Sequence, residues 1–119
     1  MTRARQITGT LGEQAAANKL AEAGYRILHR NYRVRGGELD IVAEHQGALV
    51  FCEVKTRTTA TYGLPEEAVT ATKRRRLRRL ALEYLQREGR RADILRFDVI
   101  SVHVTGGVVT DCRHLVAAF

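Results

Sequence analysis

The sequence predicts an α/β fold in which a mixed sheet is flanked by helices, with elements in the order αβββαββ. Two segments carry helical signals, and the first three strand-like runs lie between them, joined by short turns that contain glycine. Two further strands are expected over Arg96–Val104 and about Val108–His114, separated by the turn Thr105-Gly106-Gly107. Because neither a repeat nor a linker interrupts the 119 residues, we expect a single domain over residues 1–119.

The first helix is expected from about Leu11 to Ala23. Thr10 and Glu13 match the T-x-x-E capping box, in which the threonine caps the helix, and Gly24 would end it. Glu13 also lies on the apolar stripe that we expect to face the core. Its role as a capping residue and its role as a functional acid are therefore both open.

The next three strands are predicted to form a meander. Tyr25–Arg33 alternates apolar and polar residues, which is typical of a half-exposed strand. The turn Arg35-Gly36-Gly37 begins the second strand, Glu38–Glu44. His45-Gln46-Gly47 is short enough to join it by a hairpin to the third strand, Ala48–Thr56.

A loop and a second helix are expected to follow. The segment Arg57–Pro65 is polar, rich in threonine and contains the only proline, which favours a loop. Either Thr70 or Thr72 would cap a helix that runs to about Arg87, with Gly89 just beyond its end. Its apolar stripe comprises Leu77, Leu80, Ala81, Tyr84 and Leu85.

Composition points to an intracellular protein with a polyanionic partner. Lysine and arginine number 20 against 13 aspartates and glutamates, a formal charge of +7. This favours nucleic acid over a membrane, although a merely soluble basic surface would look the same. Cys52 and Cys112 lack the spacing of a zinc site, so we interpret them as reduced thiols. With neither a signal peptide nor a membrane-spanning run in the sequence, we expect a cytoplasmic protein without a membrane partner.

Charged residues interrupt the second and third predicted strands. Glu38 and Asp40 share one strand face, as do Glu53 and Lys55, and burying such charges is costly unless they are compensated. If the two strands are antiparallel neighbours, the acids converge. Signatures of acyl transfer and of nucleotide hydrolysis are absent from the sequence. Carboxylates suit Mg²⁺ or Mn²⁺, and a lysine beside the metal can orient or deprotonate a water.

Asp40, followed by Glu53-Val54-Lys55, resembles the D…(D/E)xK motif of the PD-(D/E)XK nuclease superfamily. A wider resemblance, to the YraN-like family of small bacterial proteins, rests on GTLGEQAAANKLAEAGY, the asparagine of RNYR, GELDIVA, FCEVKTR, PEEAVTATKRRRL and RFDVI. That family is similar to archaeal Holliday junction resolvases. The resemblance implies a restriction-endonuclease-like αβββαβ core, here with an extra C-terminal strand.

The resemblance also implies roles for individual residues. Asp40 and Glu53 would be metal ligands with the Val54 carbonyl as a third, Lys55 the catalytic lysine and Glu13 an accessory acid. The implied protein is an endonuclease that uses Mg²⁺ or Mn²⁺ to hydrolyse phosphodiesters of branched DNA. Because two symmetric strands are cut, the implied assembly is a homodimer.

A basic run on the second predicted helix is a candidate nucleic-acid contact. The run consists of Lys73, Arg74, Arg75, Arg76, Arg78 and Arg79. Such a run is either a solvated helix face or a surface that contacts phosphates, and the lack of interleaved acids favours phosphates. Arg35 and Arg57 would extend this surface. We expect DNA rather than RNA as the partner.

Two alternatives to a nuclease remain open. One is a non-catalytic DNA- or RNA-binding module with a vestigial carboxylate site, and the other is a scaffold whose basic face meets an acidic protein. Divalent-metal binding distinguishes the nuclease from the binding module. Asp98, in the fourth predicted strand, is interpreted as the partner of an arginine rather than as a catalytic residue.

Overall fold

The computed structural model describes residues 3–58 and 69–119. The elements are α1 (Arg3–Glu22), β1 (Arg26–Val34), β2 (Gly37–His45), β3 (Ala48–Arg57), α2 (Ala71–Glu88), β4 (Ile94–Thr105) and β5 (Val108–Leu115). This is the predicted order αβββαββ. Residues 59–65 of the predicted loop lie outside the described residues. Neither of these two helices combines the length and the apolar character needed to cross a membrane.

The five strands form one mixed sheet in the order β1-β2-β3-β4-β5. Neighbouring strands are antiparallel except for β3 and β4, which are parallel. A parallel pair needs a long crossover, and the chain between β3 and β4 contains α2. The predicted meander of the first three strands and the predicted mixed sheet are confirmed, and the fold is of the restriction-endonuclease-like class.

The two helices cover opposite faces of the sheet and create two apolar layers. On the α1 side, Ala16 and Leu20 pack against Val50 and other buried strand residues. On the α2 side, Leu80 and Tyr84 pack in a second buried cluster with strand residues. Because its N-terminal half contributes alternate side chains to both layers, β3 is packed from both faces, and its half-buried C-terminal half carries Glu53 and Lys55.

The first helix begins earlier than the sequence predicts. It starts at Arg3 rather than near Leu11, so Thr10 lies inside the helix. The Thr10 hydroxyl donates to the carbonyl of Gln6 at 2.9 Å, as threonines within helices often do. The predicted capping box is therefore wrong, and Glu13 has no capping role.

The second helix is capped by Thr70 and not by the alternative, Thr72. The Thr70 hydroxyl accepts a hydrogen bond from the Lys73 N–H at 3.2 Å. The helix ends at Gly89, whose φ of 62° lies in the left-handed region that glycine adopts readily. Through this cap, Lys73 occupies the first turn of α2.

Candidate active site

The candidate site lies where β2 and β3 separate. The pairing between these strands runs from His45 opposite Ala48 to Ile41 opposite Cys52 and stops there. Beyond that point β2 pairs only with β1, while β3 continues to pair with β4. The Asp40 carboxylate takes the place of the lost pairing, since it accepts a hydrogen bond from the Val54 N–H at 2.8 Å. The acids of the two strands converge at this point, as the sequence predicts for antiparallel neighbours.

Asp40 lies among other acids. Burial and the neighbouring Glu53 carboxylate raise the pKa of Asp40 from its usual 3.8 to about 7, against the lowering effect of the Val54 N–H. The charges of Glu13 and Glu38 act in the same direction as Glu53. A raised carboxyl pKa with a like charge as a cause is typical of functional sites, because a purely structural site would supply donors instead.

Two lysines face these acids from β3 and α2. Lys73 Nζ lies 2.9 Å from Glu53 Oε1, and only 19% of the Lys73 side chain and 11% of the Glu53 side chain are exposed. A hydrogen bond with Lys73 lowers the pKa of Lys55, and burial and the positive charge of Lys73 lower it further. The carboxylates of Glu53 and Asp40 oppose this shift. The site therefore combines Asp40 and Glu53 with two lysines, of which Lys73 contacts both Glu53 and Lys55.

The N-terminal helix adds Glu13 to the site through Asn31. With its amide oriented to satisfy both neighbours, Asn31 donates to Glu38 Oε1 at 3.0 Å and to Glu13 Oε1 at 3.1 Å. Asn31 has a φ of 51°, a left-handed conformation that asparagine tolerates better than most residues. Gly12 allows α1 to lie close to β3, because a side chain at this position would overlap Thr56. The structure thus brings Glu13 to the acids.

Sequence reasoning missed the positions of two residues in this site. In the sequence, Lys73 belongs to the basic run with the arginines, and Asn31 stands out only through the family resemblance. Lys73 had one usable signal, since it is the only lysine in the run and the first basic residue after the cap. Asn31 had none, because its left-handed backbone inside a predicted strand cannot be foreseen from strand periodicity.

The arginines of the basic run point in different directions. Arg74 and Arg78 lie over the Phe119 ring, 5.6 and 5.7 Å from its centre, which is the range of a cation–π contact. Arg75, Arg76, Arg78 and Arg79 are exposed, whereas Lys73 and Arg74 are half-buried. Of the two residues expected to extend the surface, Arg35 is exposed at the β1–β2 turn and Arg57 ends β3. The exposed arginines, rather than the whole run, are available to a partner.

The oxygen donors fit a divalent cation only in part. Asp40 and Glu53 supply two carboxylates, and Glu53 already forms an ion pair with Lys73. Within residues 3–58 and 69–119, no group of three or more histidines, cysteines, aspartates or glutamates is arranged to hold a metal ion. This set suits Mg²⁺, which commonly takes one or two carboxylates and completes its shell with water and phosphate oxygens.

Comparison with known proteins gives consistent matches. Residues 12–102 match the family model described as "Uncharacterised protein family UPF0102". A UPF0102 protein of Symbiobacterium thermophilum is 51% identical over 111 residues, 93% of this chain and 94% of the relative. One from Moorella thermoacetica is 52% identical over 86% of this chain and 85% of the relative. One from Geobacter sulfurreducens is 46% identical over 96% of this chain and 89% of the relative.

Proposed function

We propose that this chain, which belongs to the UPF0102 or YraN-like family, is a metal-dependent endonuclease that hydrolyses phosphodiester bonds of structured DNA. The observation that carries the proposal is the meeting of Asp40, Glu53 and Lys55 where β2 and β3 separate. A divalent cation between two neighbouring acids would relieve the repulsion between them, and a lysine beside them would support attack on a phosphate.

Asp40 and Glu53 would hold the cation, together with the carbonyl of Val54. A bound Mg²⁺ or Mn²⁺ would lower the pKa of a water and neutralise negative charge on the phosphate. The raised pKa of Asp40 supports this assignment, because burial and the Glu53 charge both disfavour the carboxylate and a positive ion between the two acids would offset both effects. Glu13 would steady the site from α1, through the amide of Asn31.

Lys55 would position the attacking water and offset charge that develops on the phosphate. Its side chain extends from the same strand as Glu53, two residues away, and so lies on the same face of the sheet. Glu53 already forms an ion pair with Lys73, and Lys55 contacts Lys73. Lys55 would therefore be available to a phosphate that enters the site.

The charge of the chain supports a nucleic-acid substrate. The formal charge is +7, and Arg75, Arg76 and Arg79 are exposed on the helix that supplies Lys73. Arginines of this kind contact the phosphate backbone and position a duplex without reading its sequence. We propose DNA rather than RNA, and a homodimer so that two symmetric strands can be cut. Light scattering of the purified protein tests the dimer.

Cleavage of labelled linear, flapped and four-way-junction DNA tests the proposed activity. Wild type should cut at least one substrate with Mg²⁺ or Mn²⁺ and none in EDTA. Asp40→Asn should abolish cutting and keep DNA binding, while Glu22→Gln, which neutralises an exposed acid elsewhere on α1, should cut like wild type. If wild type cuts none of these substrates under any metal, the nuclease proposal fails.

One observation favours a second candidate, a non-catalytic nucleic-acid-binding module. Glu53 is already neutralised by Lys73 without any metal, so this part of the site is stable as it stands. In such a module, wild type and Asp40→Asn would bind DNA or RNA equally well, and neither would show a thermal shift on adding Mg²⁺ or Mn²⁺.

A further inference from the structure

Lys73 occupies a helix position that usually favours an acid. Thr70 caps α2, and Lys73, three residues later, donates its N–H to the Thr70 hydroxyl at 3.2 Å. In a capping box this position holds glutamate or glutamine, and the partial positive charge of a helix N-terminus disfavours a cation. The first turn of α2 contains no acidic residue that would offset the lysine. Lys73 is therefore unfavourable for the helix itself, so any benefit of a lysine there lies in its side-chain contacts.

The Lys73 side chain lies beside an acid and a second lysine. Its Nζ atom is 2.9 Å from Glu53 Oε1, and it also forms a hydrogen bond with Lys55. Only 19% of the Lys73 side chain and 11% of the Glu53 side chain are exposed, so water screens these charges weakly. Two lysines in contact repel each other, and the Glu53 carboxylate carries one negative charge. The Asp40 carboxylate also acts on Lys55, so in the free protein the two acids compensate the two lysines.

A divalent cation on Asp40 and Glu53 would change this balance of charge. The ion would neutralise the two carboxylates, which would then compensate the lysines much less. Lys55 and Lys73 would remain as two neighbouring positive charges. An anion relieves the repulsion within such a pair, just as a cation relieves the repulsion between two neighbouring acids.

Lys55 and Lys73 are placed to hold one phosphate group between them. Their amines lie within hydrogen-bonding distance of each other, so an anion that contacts one amine is close to the other. Each ammonium has three donors, and a phosphate offers several oxygens that accept charge-assisted hydrogen bonds. The lysines belong to different elements, β3 and α2, and the N-terminus of the 18-residue helix α2 also favours an anion. A phosphate would therefore find donors on two sides.

From these observations we propose that Lys73 is a second phosphate-binding lysine of the site, beside Lys55. In the free protein it pairs with Glu53, and it transfers to a substrate phosphate when a divalent cation occupies Asp40 and Glu53. The inference rests on the proposed function and adds a residue and an order of events. Because Glu53 and the phosphate compete for Lys73, a cation on Glu53 removes the competitor. Metal and nucleic acid should therefore strengthen each other's binding by the same factor.

Coupling between metal binding and DNA binding tests the inference without cleavage. Anisotropy of fluorescein-labelled single-stranded and four-way-junction DNA measures binding in EDTA and in Ca²⁺, which takes oxygen ligands as Mg²⁺ does, and a gel checks that the DNA stays intact. For wild type, Ca²⁺ should tighten binding about tenfold, and for Lys73→Gln by less than about threefold. Arg91→Gln, which loses the same charge at an exposed position outside the site, should show the wild-type factor.

Two further measurements distinguish phosphate binding from a merely structural role of Lys73. Lys73→Arg keeps a positive charge that pairs with Glu53 and with a phosphate, so it should retain most of the Ca²⁺ effect. Without DNA, calorimetric titration should show that Lys73→Gln binds Ca²⁺ more tightly than wild type, because the competitor for Glu53 is gone. Replacing a lysine that only supports the fold would instead weaken the binding of Ca²⁺ and of DNA alike.

The possible results separate this inference from the proposed function. If Ca²⁺ tightens DNA binding by the same factor in wild type and Lys73→Gln, or leaves wild-type binding unchanged, Lys73 does not transfer to the phosphate and the inference alone is overturned. If wild type binds no DNA in either EDTA or Ca²⁺, the proposed function is overturned as well.

Discussion

Asp98 in β4 and Asp40 in β2 are two aspartates of the sheet with opposite surroundings. The Asp98 side chain is 0% exposed and accepts hydrogen bonds from Arg96, His114 and the Ala117 N–H. Although burial acts to raise it, these donors lower the pKa of Asp98 from 3.8 to about 2. The interpretation of Asp98 as an arginine partner is confirmed.

Asp40 has acids where Asp98 has donors. Burial raises the pKa of both carboxyls, but the next influence on Asp40 is the like charge of Glu53, which outweighs the lowering effect of the Val54 N–H. Burial of a carboxylate is therefore no sign of function by itself. What separates a structural acid from a candidate ligand is whether its neighbours within the protein already compensate its charge.

The largest expected effect is on the free energy of unfolding, when Asp98 is substituted. Asp98→Asn removes the negative charge that Arg96 pairs with, and breaking a buried pair from one side should cost about 3 kcal/mol or more of unfolding free energy. Urea unfolding at neutral pH measures it. Asp111→Asn, which neutralises a half-exposed aspartate paired with Arg113, should change the unfolding free energy by less than about 1 kcal/mol. If Asp98→Asn lowered the unfolding free energy as little as Asp111→Asn, the interpretation of Asp98 as a structural acid compensated by its donors would be wrong.

The pH dependence linked to Asp98 has a defined sign. Its pKa is lower in the folded protein than its usual 3.8, so the stability it contributes is present above about pH 4 and is lost as the pH falls towards 2. Asp98→Asn should therefore lose more stability relative to wild type at neutral pH than at about pH 2.

Asp40→Asn should change the stability of the protein in the opposite direction to Asp98→Asn. The pKa of Asp40 is about 7 in the folded protein, above its usual 3.8, so the stability linked to it is present below about pH 4 and is lost as the pH rises through 7. Without metal, at about pH 8, the variant should be more stable than wild type by roughly 1 to 3 kcal/mol, since one pKa unit is about 1.4 kcal/mol. Urea unfolding in EDTA at several pH values measures the difference. A variant that is less stable than wild type at pH 8 would contradict the account.

A smaller effect is expected at Lys73. Lys73→Gln removes the cation that contacts Glu53, so Mn²⁺ should bind several-fold more tightly than to wild type, a change of about 1 kcal/mol. Calorimetric titration measures the affinity. Arg91→Gln loses the same charge at an exposed position outside the site and should bind Mn²⁺ like wild type. Equal affinities for Lys73→Gln and Arg91→Gln would show that Lys73 does not compete with the metal.

Much of this contrast could be predicted from sequence, because it depends on local patterns. The alternation of the strands and the short turn after His45 predict that β2 and β3 are antiparallel, which places Asp40 near Glu53. The apolar stripe of α2 likewise predicts which of its residues are buried. The spacing of apolar residues and the length of the turn are sufficient to predict these features.

The features that could not be predicted depend on contacts between distant segments. A threonine three residues before a glutamate looks the same at a helix start and inside a helix. Thr10 therefore predicts a helix start that lies seven residues after the true one at Arg3. Lys73 is a member of a basic run by sequence, and only the packing of α2 on the sheet turns it towards Glu53. The partnership of Asp98 with His114 requires the pairing of β4 with β5, which no local pattern specifies.

Calorimetric titration of Mn²⁺ into wild type, Asp40→Asn and Glu22→Gln at neutral pH tests the central claim most directly. The account predicts that wild type and Glu22→Gln bind the ion with equal affinity, and that Asp40→Asn binds it at least about tenfold more weakly. If Asp40→Asn binds Mn²⁺ as tightly as wild type, or if wild type binds none, Asp40 is not a metal ligand and its raised pKa has only a structural meaning.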